Sequence, residues 1–137
     1  MTDKPYPQPR RDADNSAFLA NWRRGRLLLQ RCSACRQIIF YPRPYCPQCW
    51  SERIEEVESA GRGVVVSYSL VRRPNDSAFN DEVPIILAEV KVVEGAHMLA
   101  RIIDTPPEAV RSGLSVILLD HVRAARFPLP TFRPSSD

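Results

Sequence analysis

Cys32-Ser33-Ala34-Cys35 and Cys46-Pro47-Gln48-Cys49 form two CxxC pairs ten residues apart, and they use every cysteine in the chain. Each pair places two thiols on one tight turn, and two such turns supply four soft ligands to a tetrahedral ion. One zinc ion is the expected occupant; iron takes the same four sulfurs, and disulfides are the remaining alternative. Four thiolates fill the shell, so no position is left for water or substrate. A closed site of this kind serves structure rather than catalysis. Arg36 and Trp50 follow the second cysteine of each pair. A sharp turn at that point favours glycine, so both positions are expected to carry backbone strain.

Working outward, Leu27 to Arg31 reads as a strand entering the first turn and Ile38-Ile39-Phe40-Tyr41 as a strand returning toward the second. Pro42 and Pro44 stiffen the approach to Cys46. A module over residues 27–53 is too short to build an adequate apolar core, and metal binding coupled to folding supplies the missing stability. Upstream, residues 1–26 read as an arm and a helix. The first eleven residues hold three prolines and two arginines and little that packs, which predicts an extended arm ordered by a partner. Asp12, Asp14, Asn15 and Ser16 are candidate helix caps and Gly25 is the stop. Phe18, Leu19 and Trp22 give that helix an apolar face, which must pack on the body of the chain or on another subunit.

Residues 54–137 read as a third unit, mainly β. Val64 to Val71 is a strand with Val64, Val66, Tyr68 and Leu70 on one face. After a polar loop, Ile85 to Val93 alternates Ala88, Val90 and Val92 against Glu89 and Lys91. Met98 to Ile103 and Val116 to Leu119 are further strands. Thr105-Pro106-Pro107-Glu108 reads as the start of a short helix with Thr105 as its cap. The stretch from Val122 through Phe132 pairs with Val116 to Leu119. About five strands with one late short helix fit a small closed barrel of the OB type, the alternative being an open antiparallel sheet.

Charge is uneven along the chain. Residues 1–53 hold 10 Lys/Arg and 4 Asp/Glu, and residues 54–137 hold 9 and 12. A basic front half attracts phosphates, whether of a nucleic acid or of a phosphorylated cofactor, although charge runs often serve only solubility. No apolar run is long enough to span a membrane, and the N-terminus has no apolar core behind its charges. A cytoplasmic location is expected, where paired cysteines ligate metals more often than they form disulfides. The usual catalytic sets are missing. His97 lies in a Gly-Ala-His turn and His121 follows Asp120 at a strand end. No GxSxG, P-loop or GxGxxG occurs. Glu55, Glu56 and Glu58 read as a solvated edge. Aromatic residues interleave with arginines, as in single-strand nucleic-acid binders, but the barrel half is acidic, which weakens that reading.

Several segments resemble one family in order. Phe18-Leu-Ala-Asn-Trp-Arg-Arg-Gly-Arg-Leu, Gln30-Arg31-Cys32-x-x-Cys35, Pro42-Arg43-Pro44-x-Cys46-Pro47-x-Cys49 and Gly61-Arg62-Gly63-x-Val65-x-Ser67-Tyr68 are similar to the zinc-ribbon plus OB-fold proteins of domain-of-unknown-function family thirty-five. Pro107-Glu108-Ala-Val-Arg111-x-Gly113 and Leu129-Pro-x-Phe132-Arg133-Pro134 extend the likeness nearly to the end. The resemblance implies an N-terminal helical arm, a rubredoxin-like zinc ribbon and a C-terminal OB fold. It implies Cys32, Cys35, Cys46 and Cys49 as metal ligands and no independent catalytic residue. It also implies an accessory subunit of a thiolase-like or other acyl-CoA enzyme, or of a thiolase-fold aldolase acting on steroid side chains. On that reading Phe18, Trp22 and Arg23 are the expected docking residues. Arg31 and Arg43, by charge and position, are candidates for the phosphates of CoA. A nucleic-acid-binding zinc-ribbon and OB-fold protein is the alternative, and no membrane partner is expected.

Overall fold

The computed structural model describes residues 6–120, 123 and 127–135 of the 137. Residues 27 onward build two β units. The first is a three-stranded antiparallel sheet of β1 (Leu28–Cys32), β2 (Ile38–Ile39) and β3 (Ile54–Glu58), in the order β2-β1-β3. The second is a closed barrel of β4 (Arg62–Val71), β5 (Ile85–Val92), β6 (His97–Ile102), β7 (Ser115–Leu118) and β8 (Thr131–Pro134), in the order β4-β5-β6-β8-β7. The chain is therefore mainly β, with a short helix, α1 (Ser16–Trp22), ahead of both units. Closure excludes the open-sheet alternative.

Residues 54–58 pair with β1 along its whole length, from Leu28 opposite Glu58 to Cys32 opposite Ile54. The ribbon sheet thus runs past residue 53. Its acids are partly neutralised: Arg31 Nε donates to Glu55 Oε1 at 2.8 Å and Arg26 Nη2 to Glu58 Oε1 at 2.8 Å. At Leu29, next to the start of the strand, β1 joins the barrel core. Leu27 and Leu29 are buried in one cluster with Val65, Val90, Met98, Ile102, Val116 and Phe132, and Val57 packs against it. Ribbon and barrel share this core, and neither unit buries its apolar face without the other.

In β5 the alternation read from sequence holds: Ala88, Val90 and Val92 face inward while Lys91 is exposed. In β4 it does not. The register shifts between Val65 and Ser67, so one extra residue sits in the strand at this bulge. Val65 is buried in the barrel, whereas Val64 and Val66 are exposed. Beyond the bulge, Leu70 pairs with Ile86 and returns to the inner side. A bulge flips the side-chain parity, and a simple period of two cannot follow it.

Gly63 marks the tightest approach in the barrel. A Cβ there would stand 2.6 Å from the Lys91 carbonyl oxygen and 3.1 Å from Val92 Cα. Both are backbone atoms of the β4–β5 ladder and cannot turn aside. Gly63→Ala is expected to lower stability by about 2 kcal/mol, in the range of other overpacked sites. Thermal or urea unfolding measures this; an unchanged midpoint would show that the ladder gives way freely.

The late turn is shorter than the sequence suggests. Only Pro107–Ala109 form a single 3-10 turn, and Pro106, not Thr105, holds its cap position. The Thr105 hydroxyl donates instead to the Pro106 carbonyl. Nearby, Arg123 makes a two-pronged bond to Asp104 at 2.7 and 2.8 Å, which holds the Asp104 carboxyl below its ordinary range. β8 pairs antiparallel with β7 and parallel with β6. His121 and, of the predicted 122–132 strand, residues 122 and 124–126 lie outside the described residues; residues 127–130 are bends and coil, so the strand begins only at Thr131.

Ahead of the ribbon, Asn15 occupies the cap position of α1, where its carbonyl accepts from the Leu19 N–H but its side chain makes no bond to the helix. Its amide side chain accepts from the Asp12 N–H and donates to the Arg10 carbonyl, and Asp12 accepts from the N–H groups of Asp14 and Asn15. The arm is not free of packing. Tyr6 is buried, its ring stacked on Phe79 at 4.9 Å and Phe127 at 5.3 Å, and its hydroxyl donates to Glu82. Glu82 also accepts from the buried Arg101, whose guanidinium lies over the Phe127 ring. Aromatic partners more than seventy residues away hold Tyr6, and local composition carries no trace of them. Among the described residues no helix is long and apolar enough to cross a membrane.

Candidate metal centre

The two cysteine turns repeat one backbone pattern. The Arg36 N–H donates to the Cys32 carbonyl and the Trp50 N–H to the Cys46 carbonyl, at 2.8 and 2.9 Å. The Cys32 N–H donates to the Gln37 carbonyl and the Cys46 N–H to the Ser51 carbonyl, both at 2.9 Å. This winding forces the residue after each second cysteine into the left-handed region: Arg36 and Trp50 both have φ 66°. The strain expected from the sequence is present in both turns.

The four Sγ atoms all lie within 4.8 Å of one another. Cys32 and Cys49 are 3.6 Å apart, as are Cys35 and Cys46. A tetrahedron with Zn–S of about 2.3 Å places its sulfurs about 3.8 Å apart, so the set fits one zinc ion. Cys32 and Cys46 are fully buried against Ile39 and Ile54, and Cys35 and Cys49 close the outer side. The Cys35 N–H points at Cys32 Sγ (3.5 Å), and this bond is the main force holding the Cys32 thiol down at about 6. For Cys35 the Gln37 N–H favours the thiolate, but desolvation and the bonds to the other three sulfurs outweigh it and push the thiol up to about 12. A divalent cation displaces such protons and neutralises the crowded sulfurs.

The other residues singled out by sequence fall in different places. Trp22 is 2% exposed, and its indole N–H donates to the Phe127 carbonyl at 2.9 Å. Its ring is consumed within the chain, which corrects its reading as a docking residue. Phe18 is half-buried, edge-on to Phe40 at 5.5 Å. Arg23 is exposed. Arg31 is engaged by Glu55, whereas the exposed Arg43 has no carboxylate partner among the described residues. His97 is exposed and meets Glu89 at 2.6 Å, and Ser67 reaches the other oxygen of that carboxylate. The glutamate stands between them, and no bond joins the imidazole to the hydroxyl, so the trio lacks a nucleophile–base contact. Sequence reasoning missed the exposed stack of Tyr45 on Trp50, with ring centroids 5.3 Å apart. The signal available was an indole standing where a turn favours glycine.

A closed four-thiolate ribbon packed on a five-stranded OB barrel defines a two-module, metal-stapled class of protein. Two family models match in that order: a rubredoxin-like zinc ribbon domain of ChsH2 over residues 21–55 and the C-terminal OB-fold domain of ChsH2 over residues 56–118. A chain of the structure described as an Ltp2-ChsH2(DUF35) aldolase superposes with a TM-score of 0.78 at 33% identity, covering 93% of this chain and 98% of that one. The chain belongs to the ChsH2/DUF35 family of zinc-ribbon and OB-fold proteins. It is 35% identical over 130 residues to a probable enoyl-CoA hydratase alpha subunit of Thermomonospora curvata, covering 94% of this chain and 40% of that protein. It is 39% identical over 79 residues to a DUF35 domain-containing scaffold protein of Pyrococcus furiosus, covering 58% of this chain and 57% of that protein. The chain thus spans less than two thirds of the length of these curated relatives.

Proposed function

We propose that this chain is a non-catalytic, cytoplasmic, zinc-binding accessory subunit. It docks on a thiolase-like or other acyl-CoA enzyme and helps bind or channel a CoA thioester. The observation that carries this reading is the end-to-end likeness to a chain of an aldolase complex. The names of two curated relatives, a scaffold protein and a hydratase subunit, support it. The chemistry agrees: the cysteine site fits a closed shell, and the Ser67–Glu89–His97 group lacks a working geometry. Zinc, when bound, supplies rigidity to the ribbon. Cys32, Cys35, Cys46 and Cys49 hold it, and β1 transmits that rigidity to the barrel through Leu27 and Leu29. Of the two arginines considered for CoA phosphates, Arg31 already has an ion partner in Glu55, which argues against that role for it.

The purified protein is expected to contain about one zinc per chain and to co-purify with an acyl-CoA enzyme from its native extract. Metal analysis and affinity capture with mass spectrometry measure the two. Repeated captures that recover no such enzyme would refute the accessory role.

A further inference from the structure

The segment between the two cysteine turns carries Tyr41 and Tyr45, 58% and 41% exposed, and Trp50 follows at 70%. This aromatic surface is held still. Gln30 grips the Arg43 backbone at both ends, accepting from its N–H at 2.9 Å and donating to its carbonyl at 3.1 Å. Tyr41 packs edge-on to Phe40, which in turn meets Phe18 of α1. Pro42 and Pro44 restrict the loop further. Trp50 itself occupies a left-handed conformation that an indole adopts only under strain, and it recovers little burial in return. A strained, exposed tryptophan does not serve the stability of this chain.

The ribbon carries three arginines without an ion partner among the described residues. Arg26, Arg31, Arg101 and Arg123 all have carboxylate partners. Arg36, Arg43 and Arg53, all exposed, have none among the described residues. Over residues 27–58, which include the completing strand β3, four arginines stand against four glutamates, so the free positive charge of the ribbon is local to Arg36, Arg43 and Arg53.

We propose that Trp50, Tyr45 and Arg43 form the docking plate for an acidic, apolar-centred patch on the partner enzyme. The proposal rests on the accessory-subunit reading and names the surface that reading requires. Trp, Tyr and Arg dominate the energetics of protein interfaces, and a surface rigid before contact loses little entropy on binding. Unpaired guanidinium forks select carboxylates on the other side.

The test takes the acyl-CoA enzyme captured from the native extract, identified by mass spectrometry and purified, and titrates it against full-length variants. Trp50→Gly relieves the turn, so its zinc content and thermal midpoint are expected to hold or rise while affinity falls by about tenfold or more. Arg43→Glu is expected to weaken binding comparably, by charge reversal. Leu99→Ser, which removes an exposed apolar side chain on the barrel, leaves affinity unchanged. Full affinity in both ribbon variants overturns the docking plate and leaves the accessory role standing. Failure of the unaltered chain to capture any acyl-CoA enzyme refutes that role and the plate with it. Single-strand DNA binding at low salt that the same variants abolish assigns the surface to nucleic acid and overturns the proposal.

Discussion

Cys46→Ser, or removal of the metal by a chelator, is expected to melt the ribbon while leaving the centre of the barrel folded. Apparent zinc-binding free energies in small modules are about 10–16 kcal/mol, comparable to the whole stability of a domain at about 5–15 kcal/mol. Without the ion, the cluster around the sulfurs is only Cys32, Ile39 and Cys46 with Ile54 beside it. That is too little to order β2, which is two residues long. The barrel has its own ladders, and β4–β5 alone pairs eight positions. Hydrogen exchange read by mass spectrometry separates the two units. Amides of β1 to β3 are expected to exchange at least about 100-fold faster, a loss of about 3 kcal/mol against local opening, while β5 and β6 keep most of their protection. Global stability falls as well, because Leu27 and Leu29 are lent to the barrel core from the ribbon side. Retained zinc and unchanged protection in Cys46→Ser would refute the four-thiolate centre.

Trp22→Ala is expected to destabilise the folded chain by about 4 kcal/mol, the range for a buried aromatic cut to alanine. The indole closes a cluster with Tyr6, Leu119 and Phe127, and its removal leaves a cavity there and an unsatisfied Phe127 carbonyl. Trp22→Phe keeps most of the packing and loses the hydrogen bond, so about 1–2 kcal/mol is expected. Urea unfolding of the two variants measures both steps. A docking tryptophan would give the opposite pattern, with partner affinity lost and stability unchanged. A loss below about 1 kcal/mol in Trp22→Ala would place the helix elsewhere.

Much of the candidate site was legible in the sequence because metal-ligand geometry is local. A CxxC turn brings its own sulfurs together, and the backbone bonds that wind it lie within five residues. The strain at Arg36 and Trp50 was legible for the same reason. The alternation in β5 was readable because nothing interrupts that strand. The inner face of β4 was not, because the bulge at Val65–Ser67 shifts register midway and depends on β5. Ile54–Glu58 read as the start of the next unit, since nothing in five residues says which neighbour they pair with.

The aromatics divide in the same way. From sequence, Trp22 and Trp50 are both tryptophans beside arginines, and the helical one was the natural docking candidate. Folding buries Trp22 beneath Phe127, 105 positions away along the chain, and leaves Trp50 in solvent beside Tyr45. The sequence alone determined a four-cysteine site that fits one zinc ion and the ribbon-then-barrel order, each written in short spacings and strand patterns. Only the tertiary structure decided which strand completes the ribbon, how the ribbon shares the barrel's core and which aromatic faces outward. Those outcomes depend on distant partners, and burial is a property of the packed chain rather than of any segment in it.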